Sequence, residues 1–264
     1  MLKLEKVSKS FHVGTPNEKC VINKLDLELK QGDFVTVIGG NGAGKSTLLN
    51  LIAGVYPIDC GIMTLDGQDI SLSPEYQRAK FIGRVFQDPM MGTASDMQII
   101  ENLAMAARRG QKRSLHWGVT KKEKEEYYEI VKALGLGLED RLTTKVGLLS
   151  GGQRQALTLL MATLNKPKLL LLDEHTAALD PATSTKVLTL TKQIVTEQHL
   201  TAMMVTHNMK DAIDIGNRLI MMYDGRIIYD VQGEEKKQLT VNDLLKKFEE
   251  AIGEEFVNHR MLLG

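Results

Sequence analysis

FVTVIGGNGAGKSTLLNLIAG, residues Phe34 to Gly54, decides the fold class. Phe34 to Ile38 are apolar or β-branched throughout, which predicts a short strand covered on both faces. GGNGAGKST, Gly39 to Thr47, fits G-x-x-x-x-G-K-[ST] through Gly39, Gly44, Lys45 and Ser46. STLLNLIAG then carries helical spacing, so strand, loop and helix follow in the order a phosphate cradle requires. In that reading the backbone N–H groups of Gly42, Ala43, Gly44, Lys45 and Ser46 ring a β-phosphate, with Asn41 and Thr47 completing the loop. Lys45 reaches the β- and γ-phosphates, and the Ser46 hydroxyl ligates Mg²⁺. A glycine-rich turn with a surface lysine is the plain alternative, and the flanking strand and helix argue against it.

A second stretch answers the first. In KLLLLDEHTAALD, Lys168 to Asp180, four leucines make a buried strand. Asp173 and Glu174 follow where such a strand emerges at the ligand-bearing edge of a parallel sheet. Asp173 would hold Mg²⁺ through its water shell, and Glu174 would polarise a water attacking the γ-phosphate. Between these stretches lies GLLSGGQRQA, Gly147 to Ala156. Ser150 and Gln153 form a capping box for a helix start. Gly151 and Gly152 are costly in a first turn, about 1 kcal/mol each against alanine, and suit a close-approaching anion.

Composition limits the function classes. With 264 residues and 43% hydrophobic content the chain can bury a sizeable core. Thirty-three basic and thirty-three acidic side chains cancel, so no overall field draws it to nucleic acid. Cys20 and Cys60 lack metal or disulfide spacing, which suits a reducing compartment. No apolar run is long enough to span a bilayer, so membrane work would fall to a separate subunit.

Along the chain, β-type runs alternate with helical ones, the pattern of an α/β fold with a largely parallel sheet. LKLEKV and VINKLDLEL suggest antiparallel strands, and TAMMVT, Thr201 to Thr206, a third buried strand. Asp66-Gly67 and Asp224-Gly225 are hairpin signals. Residues 1–89 are expected to hold an antiparallel β-subdomain and the phosphate-loop part of the core. Residues 90–148 are expected to form a helical insert, with the capped helix following at 150–165. Residues 166–235 would complete the core of a single 264-residue domain. In the tail, 236–264, Val241, Leu244, Leu245, Phe248 and Ile252 share one helical face. Arg108, Arg109, Lys112, Arg113, Lys121 and Lys122 form a basic cluster readable as a lipid-headgroup contact or as a solvated loop.

Together these motifs resemble the ATP-binding subunit of an ABC transporter, with LSGGQRQ similar to that family's signature sequence. The resemblance covers essentially the whole chain and implies a P-loop NTPase fold of ABC type: a RecA-like core, an antiparallel β-subdomain and a helical subdomain insert. It implies ATP and Mg²⁺ as ligands. It gives Phe11 an adenine-stacking role, Gln87 in VFQDP a contact to Mg²⁺ and attacking water, His207 in VTHNM a γ-phosphate contact, and Asp180 a place in the loop crossing between subunits. Ser150, Gly151, Gly152 and Gln153 would act in trans on ATP held by the other member of a homodimer. Hydrolysis would thereby drive an integral membrane permease at the cytoplasmic face of the membrane, with the coupling groove near Gln87.

His175 departs from the family, which usually has proline there; it reads either as a charge near the γ-phosphate at mildly acid pH or as an uncoupled turn residue. Phe11 replaces the commoner tyrosine and keeps a π-face for stacking. DEHTAALDP, VFQDPMMGTASDM and LTLLMATLNKPKLLLLDE also resemble a branch labelled putative tryptophan or tyrosine import systems, which use an extracytoplasmic binding protein. An exporter ATPase or a soluble ABC ATPase of cofactor assembly remains the alternative.

Overall fold

The structure, a computed structural model, describes residues 1–111 and 118–262. Strands β1 (Leu2–Phe11) and β2 (Lys19–Leu29) pair antiparallel and precede β3 (Phe34–Gly39), which runs into helix α1 (Lys45–Ala53). β4 (Cys60–Leu65) and β5 (Gln68–Asp69) follow, with the hairpin turn at Asp66-Gly67, where both residues have positive φ (49° and 76°). These strands, β3 excepted, form a four-stranded sheet in the order β2-β1-β4-β5.

After the short α2 (Glu75–Arg78) comes β6 (Ile82–Val85), a strand that sequence reasoning missed because Gly83 and Arg84 interrupt its apolar run. Helices α3 (Ile99–Ala107), α4 (Lys121–Lys132) and α5 (Gly151–Thr163) then precede β7 (Leu169–Asp173). Among the described residues of 90–148 the β pairing is an isolated Gln98–Lys145 bridge. The chain continues through α6 (Pro181–Glu197), β8 (Thr201–Val205), α7 (Met209–Asp214), β9 (Arg218–Tyr223), β10 (Arg226–Gln232), α8 (Gly233–Gln238) and α9 (Val241–Leu262).

The second sheet has the order β10-β9-β3-β8-β7-β6, parallel except for the β9–β10 hairpin. Its central strands are buried on both faces, and β7 shows how. Leu169 and Leu171 pack with α1 and the antiparallel sheet, through Leu48, Leu51, Leu4 and Val7. Leu170 and Leu172 pack with α5 and α6, through Leu159, Ile194 and Val195. A separate apolar cluster joins α3, α4 and α5 through Leu103, Val131 and Leu157.

Helix α1 is held at its C-terminal end. Arg78, 2% exposed, donates to the carbonyls of Leu51 (2.7 Å) and Ile52 (3.0 Å), closing its C-terminus. Burial lowers the Arg78 pKa to about 10, still protonated at neutral pH. In α9, Leu244 is buried and Phe248 meets Tyr223 edge-on at 5.7 Å. Leu245, expected on that face, is instead exposed: the buried stripe runs through Leu244 and Phe248, one step around the helix. Ile252 lies outside the described side chains, and Lys112 and Arg113 of the basic cluster lie outside the described residues. Arg108 bonds Glu123 at 2.7 Å and Arg109 donates to Ala162 O at 3.0 Å, so these two members of the cluster are held within the fold.

Candidate nucleotide-binding site

The loop after β3 needs glycine for room. A Cβ at Gly39 would sit 2.2 Å from Met222 O, and one at Gly44 2.8 Å from Val21 O, with φ of 151° and 97°. Gly44 is the N-cap of α1 with no side-chain bond, and the first turn carries no acid, leaving its N–H groups to an anion. Lys45 starts the helix, 5% exposed, its ammonium curled onto the carbonyls of Gly39 (2.8 Å) and Gly40 (3.0 Å). Burial lowers its pKa, and Glu174 and Asp173 oppose that.

Ser46 Oγ donates to Asp173 Oδ1 at 3.3 Å, joining α1 to the end of β7. Burial pushes the Asp173 carboxyl up, opposed by Arg84, Ser46, Lys45 and His207. One hydroxyl and one carboxylate beside a phosphate cradle suit Mg²⁺, which binds through one or two protein oxygens, substrate phosphates and water. Glu174 N donates to Val205 O at 3.1 Å, and Glu174 Oε1 lies 2.6 Å from His207 Nε2. Glu174 has φ 45°, a left-handed conformation uncommon for a side-chain-bearing residue.

His175 points inward. It is 2% exposed, with Nε2 3.0 Å from Thr191 Oγ1 on α6, and burial lowers its pKa to about 4. The charged reading is thereby corrected, since burial keeps the imidazole neutral at mildly acid pH; His175 is a turn residue, and its hydrogen bond ties it to α6.

The capping box is present at α5: Gln153 N donates to Ser150 Oγ (3.3 Å) and Ser150 N to Gln153 Oε1 (3.2 Å). Gly151 is exposed, whereas Gly152 is buried, and a Cβ there would meet Thr183 Cγ2 at 2.1 Å. Packing against α6 thus accounts for Gly152 without an anion. Asp180 caps α6 by accepting from Thr183 N at 3.1 Å, and the preceding Leu179 lies against the α5 start, its Cδ2 3.4 Å from a Cβ built on Gly151. Gln155 Nε2 donates to Phe86 O at 3.2 Å, linking α5 to the segment holding exposed Gln87. Phe11 ends β1 half-buried, edge-on to Tyr56 at 5.2 Å.

The structure therefore brings Lys45, Ser46, Asp173, Glu174 and His207 together, places Phe11 and the Ser150 turn in other contacts, and leaves Gln87 exposed. Sequence reasoning overlooked Arg84, 3.8 Å from Asp173 Oδ2; its signal was a charge inside a short apolar run three residues before Gln87.

A family model described as ABC transporter matches residues 22–177. The chain is 45% identical over 254 residues, 96% of its length and 100% of the relative's, to the tyrosine transport ATP-binding protein of Clostridioides difficile (strain R20291). It is 34% identical over 230 residues, 87% of this chain and 90% of the relative, to the thiamine import ATP-binding protein ThiQ of Photorhabdus laumondii subsp. laumondii. Among solved structures it is similar to the ATP-binding cassette MJ0796 in a dimeric post-hydrolysis state bound to ADP and Pi. That likeness has a TM-score of 0.75 and 27% identity, covering 88% of this chain and 98% of that one. The α/β architecture, the phosphate loop and these likenesses agree: the chain belongs to the ABC transporter family, as an ATP-binding subunit.

Proposed function

We propose that this chain hydrolyses ATP in a homodimer and couples that cycle to a separate membrane permease importing an amino acid or similar small solute. The observation carrying the hydrolytic part is the convergence of three chain segments: Lys45 and Ser46 from α1, Asp173 at the end of β7 with Glu174 directly after it, and His207 after β8. Lys45 would leave the Gly39 and Gly40 carbonyls to bind the β- and γ-phosphates. Ser46 and Asp173 would hold Mg²⁺, which when bound neutralises charge on the phosphate oxygens. Glu174 would take a proton from the attacking water while His207 orients the γ-phosphate. Ser150 and Gly151 of the partner would close the site from the far side, and Asp180 would lie at that boundary.

Phe11 would stack on adenine with the ring face its edge contact to Tyr56 leaves, and Gln87 would link the site to the permease. Import of an amino acid rests on the tyrosine transport relative, 45% identical along its full length. The transported solute would reach the permease from an extracytoplasmic binding protein, with this chain at the cytoplasmic face. Among the described residues no helix is long and apolar enough to cross a membrane.

The test is reconstitution with the candidate permease in liposomes. ATPase activity should rise when the binding protein and its amino acid are supplied. Rates unaffected by every membrane partner but raised by a soluble assembly protein would replace transport with the soluble alternative.

A further inference from the structure

Arg84 is the most constrained charged side chain near the site for which the hydrolytic scheme has no use. It lies on β6, its backbone paired with Leu171 of β7, and its side chain is 13% exposed. One terminal nitrogen donates to Asn50 Oδ1 at 2.6 Å and lies 3.8 Å from Asp173 Oδ2. The guanidinium also stacks over the Phe86 ring at 4.5 Å, while its Nε is buried with no partner among the described residues. A buried donor left unpaired costs free energy, so fold stability alone is a poor reason for arginine here.

The contacts close a ring. Ser46 and Asn50 are four residues apart on α1 and so share a face. Ser46 bonds Asp173 Oδ1, and Asn50 holds the guanidinium that faces Asp173 Oδ2. The two carboxylate oxygens thus have different partners, and the arrangement fixes which one faces the phosphate loop. We propose that Arg84 is a positioning residue that aims Asp173 Oδ1, together with the Ser46 hydroxyl, at the Mg²⁺ of bound nucleotide. This rests on the reading above that Ser46 and Asp173 take the ion.

Charge alone predicts the opposite sign, because a guanidinium close to a metal ligand repels a divalent cation. The experiment therefore separates orientation from Coulomb repulsion. ATP affinity is measured by calorimetry in EDTA and in Mg²⁺, for the parent, R84M and R84K. The gain in affinity on adding Mg²⁺ should shrink about tenfold in R84M, the scale of removing a group that orients a metal ligand, with binding in EDTA unchanged. R84K keeps the charge but not the planar guanidinium whose stacking over Phe86 holds that nitrogen between Asn50 and Asp173, so it should lose in the same direction. It carries the comparison if R84M does not fold.

An unchanged or larger Mg²⁺ gain in the variants overturns the proposal. An equal loss in EDTA also overturns it, by making Arg84 a structural residue. A parent chain that binds ATP with no Mg²⁺ gain defeats the Ser46–Asp173 reading itself, a result distinguishable from failure of Arg84 alone.

Discussion

Glu174 Oε1 and His207 Nε2 stand 2.6 Å apart, joining the loops that leave two adjacent parallel strands. The contact follows from register. Asp173 is paired with Val205, so the next residue on β7 and the second beyond Val205 on β8 emerge side by side. Glu174 holds φ 45° while its N–H is bonded to Val205 O, a conformation costing about 1 kcal/mol that the strand pairing maintains.

Glu174→Gln keeps the size and one hydrogen bond to His207 but cannot accept a proton. Steady-state ATP turnover should fall by about 10² to 10⁴. ATP binding by calorimetry should stay within a few-fold of the parent. Turnover at the parent rate would remove Glu174 from the proposed chemistry.

Gly152→Ala separates packing from anion binding. On helix propensity alone, alanine should stabilise the first turn of α5 by about 1 kcal/mol. The structure reverses the sign, because the new Cβ would sit 2.1 Å from Thr183 Cγ2. A net loss of about 1–3 kcal/mol in urea unfolding is expected. Thr183→Ser deletes the clashing methyl, leaving Thr183 Cβ as the nearest remaining atom at 3.5 Å, and should restore most of that loss in the double variant. A more stable Gly152→Ala single variant would count against the packing role.

The same contacts show what the chain discloses and what it conceals. β3, β7 and β8 are legible because strands covered on both faces read as unbroken apolar runs, and the two Asp-Gly pairs mark the β4–β5 and β9–β10 hairpins. β6 is concealed because two of its four residues serve neighbours. A Cβ at Gly83 would lie 2.5 Å from Ala162 O, and Arg84 reaches across to Asn50 and Asp173. The phosphate loop is local and hence readable, whereas the Ser46–Asp173 and Glu174–His207 approaches depend on strand order and register. Gly152 misleads for a related reason: its partner, Thr183, lies on a different helix.

His175 makes the fold acid-sensitive. Thr191 Oγ1 already donates to Val187 O at 2.8 Å, so the imidazole donates from Nε2, and its burial disfavours the charged form. Its folded pKa is about 4, below the roughly 6.5 of an unfolded chain. Between these values the unfolded state binds the extra proton, so stability falls as pH drops from 6.5 towards 4 and levels off below. The loss by pH 4 is about 3 kcal/mol from this group. His175→Gln keeps a donor for Thr191 without titrating, so its urea-unfolding free energy should decline less steeply over that range. Parallel pH profiles for the two proteins would show that His175 is not protonated on unfolding.

Gly151 offers a test of whether the Ser150 turn serves a partner's nucleotide. Among the described residues a Cβ there meets only Leu179 Cδ2, at 3.4 Å, so Gly151→Asp fits sterically, and an acid suits a helix N-terminus. The variant should fold, yet its carboxylate would face the γ-phosphate and repel it by several kcal/mol at low effective dielectric. Lys45→Ala removes the ammonium from the phosphate loop instead. As homodimers, each variant has both composite sites damaged and should be inactive. When the two are mixed, the lesions fall in one composite site if the turn acts in trans, leaving the other with intact Lys45 and intact Gly151. Differently tagged chains purified as the mixed dimer should then regain ATPase activity above both parents. If the turn serves its own chain's nucleotide, each site keeps one lesion and activity stays at the level of the homodimers. Adding Glu174→Gln to the Gly151→Asp chain sharpens the result. In trans, the intact Lys45 belongs to that chain, so the mixed dimer should trap about one ATP without turning it over. No trapped nucleotide in verified mixed dimers would exclude the trans arrangement.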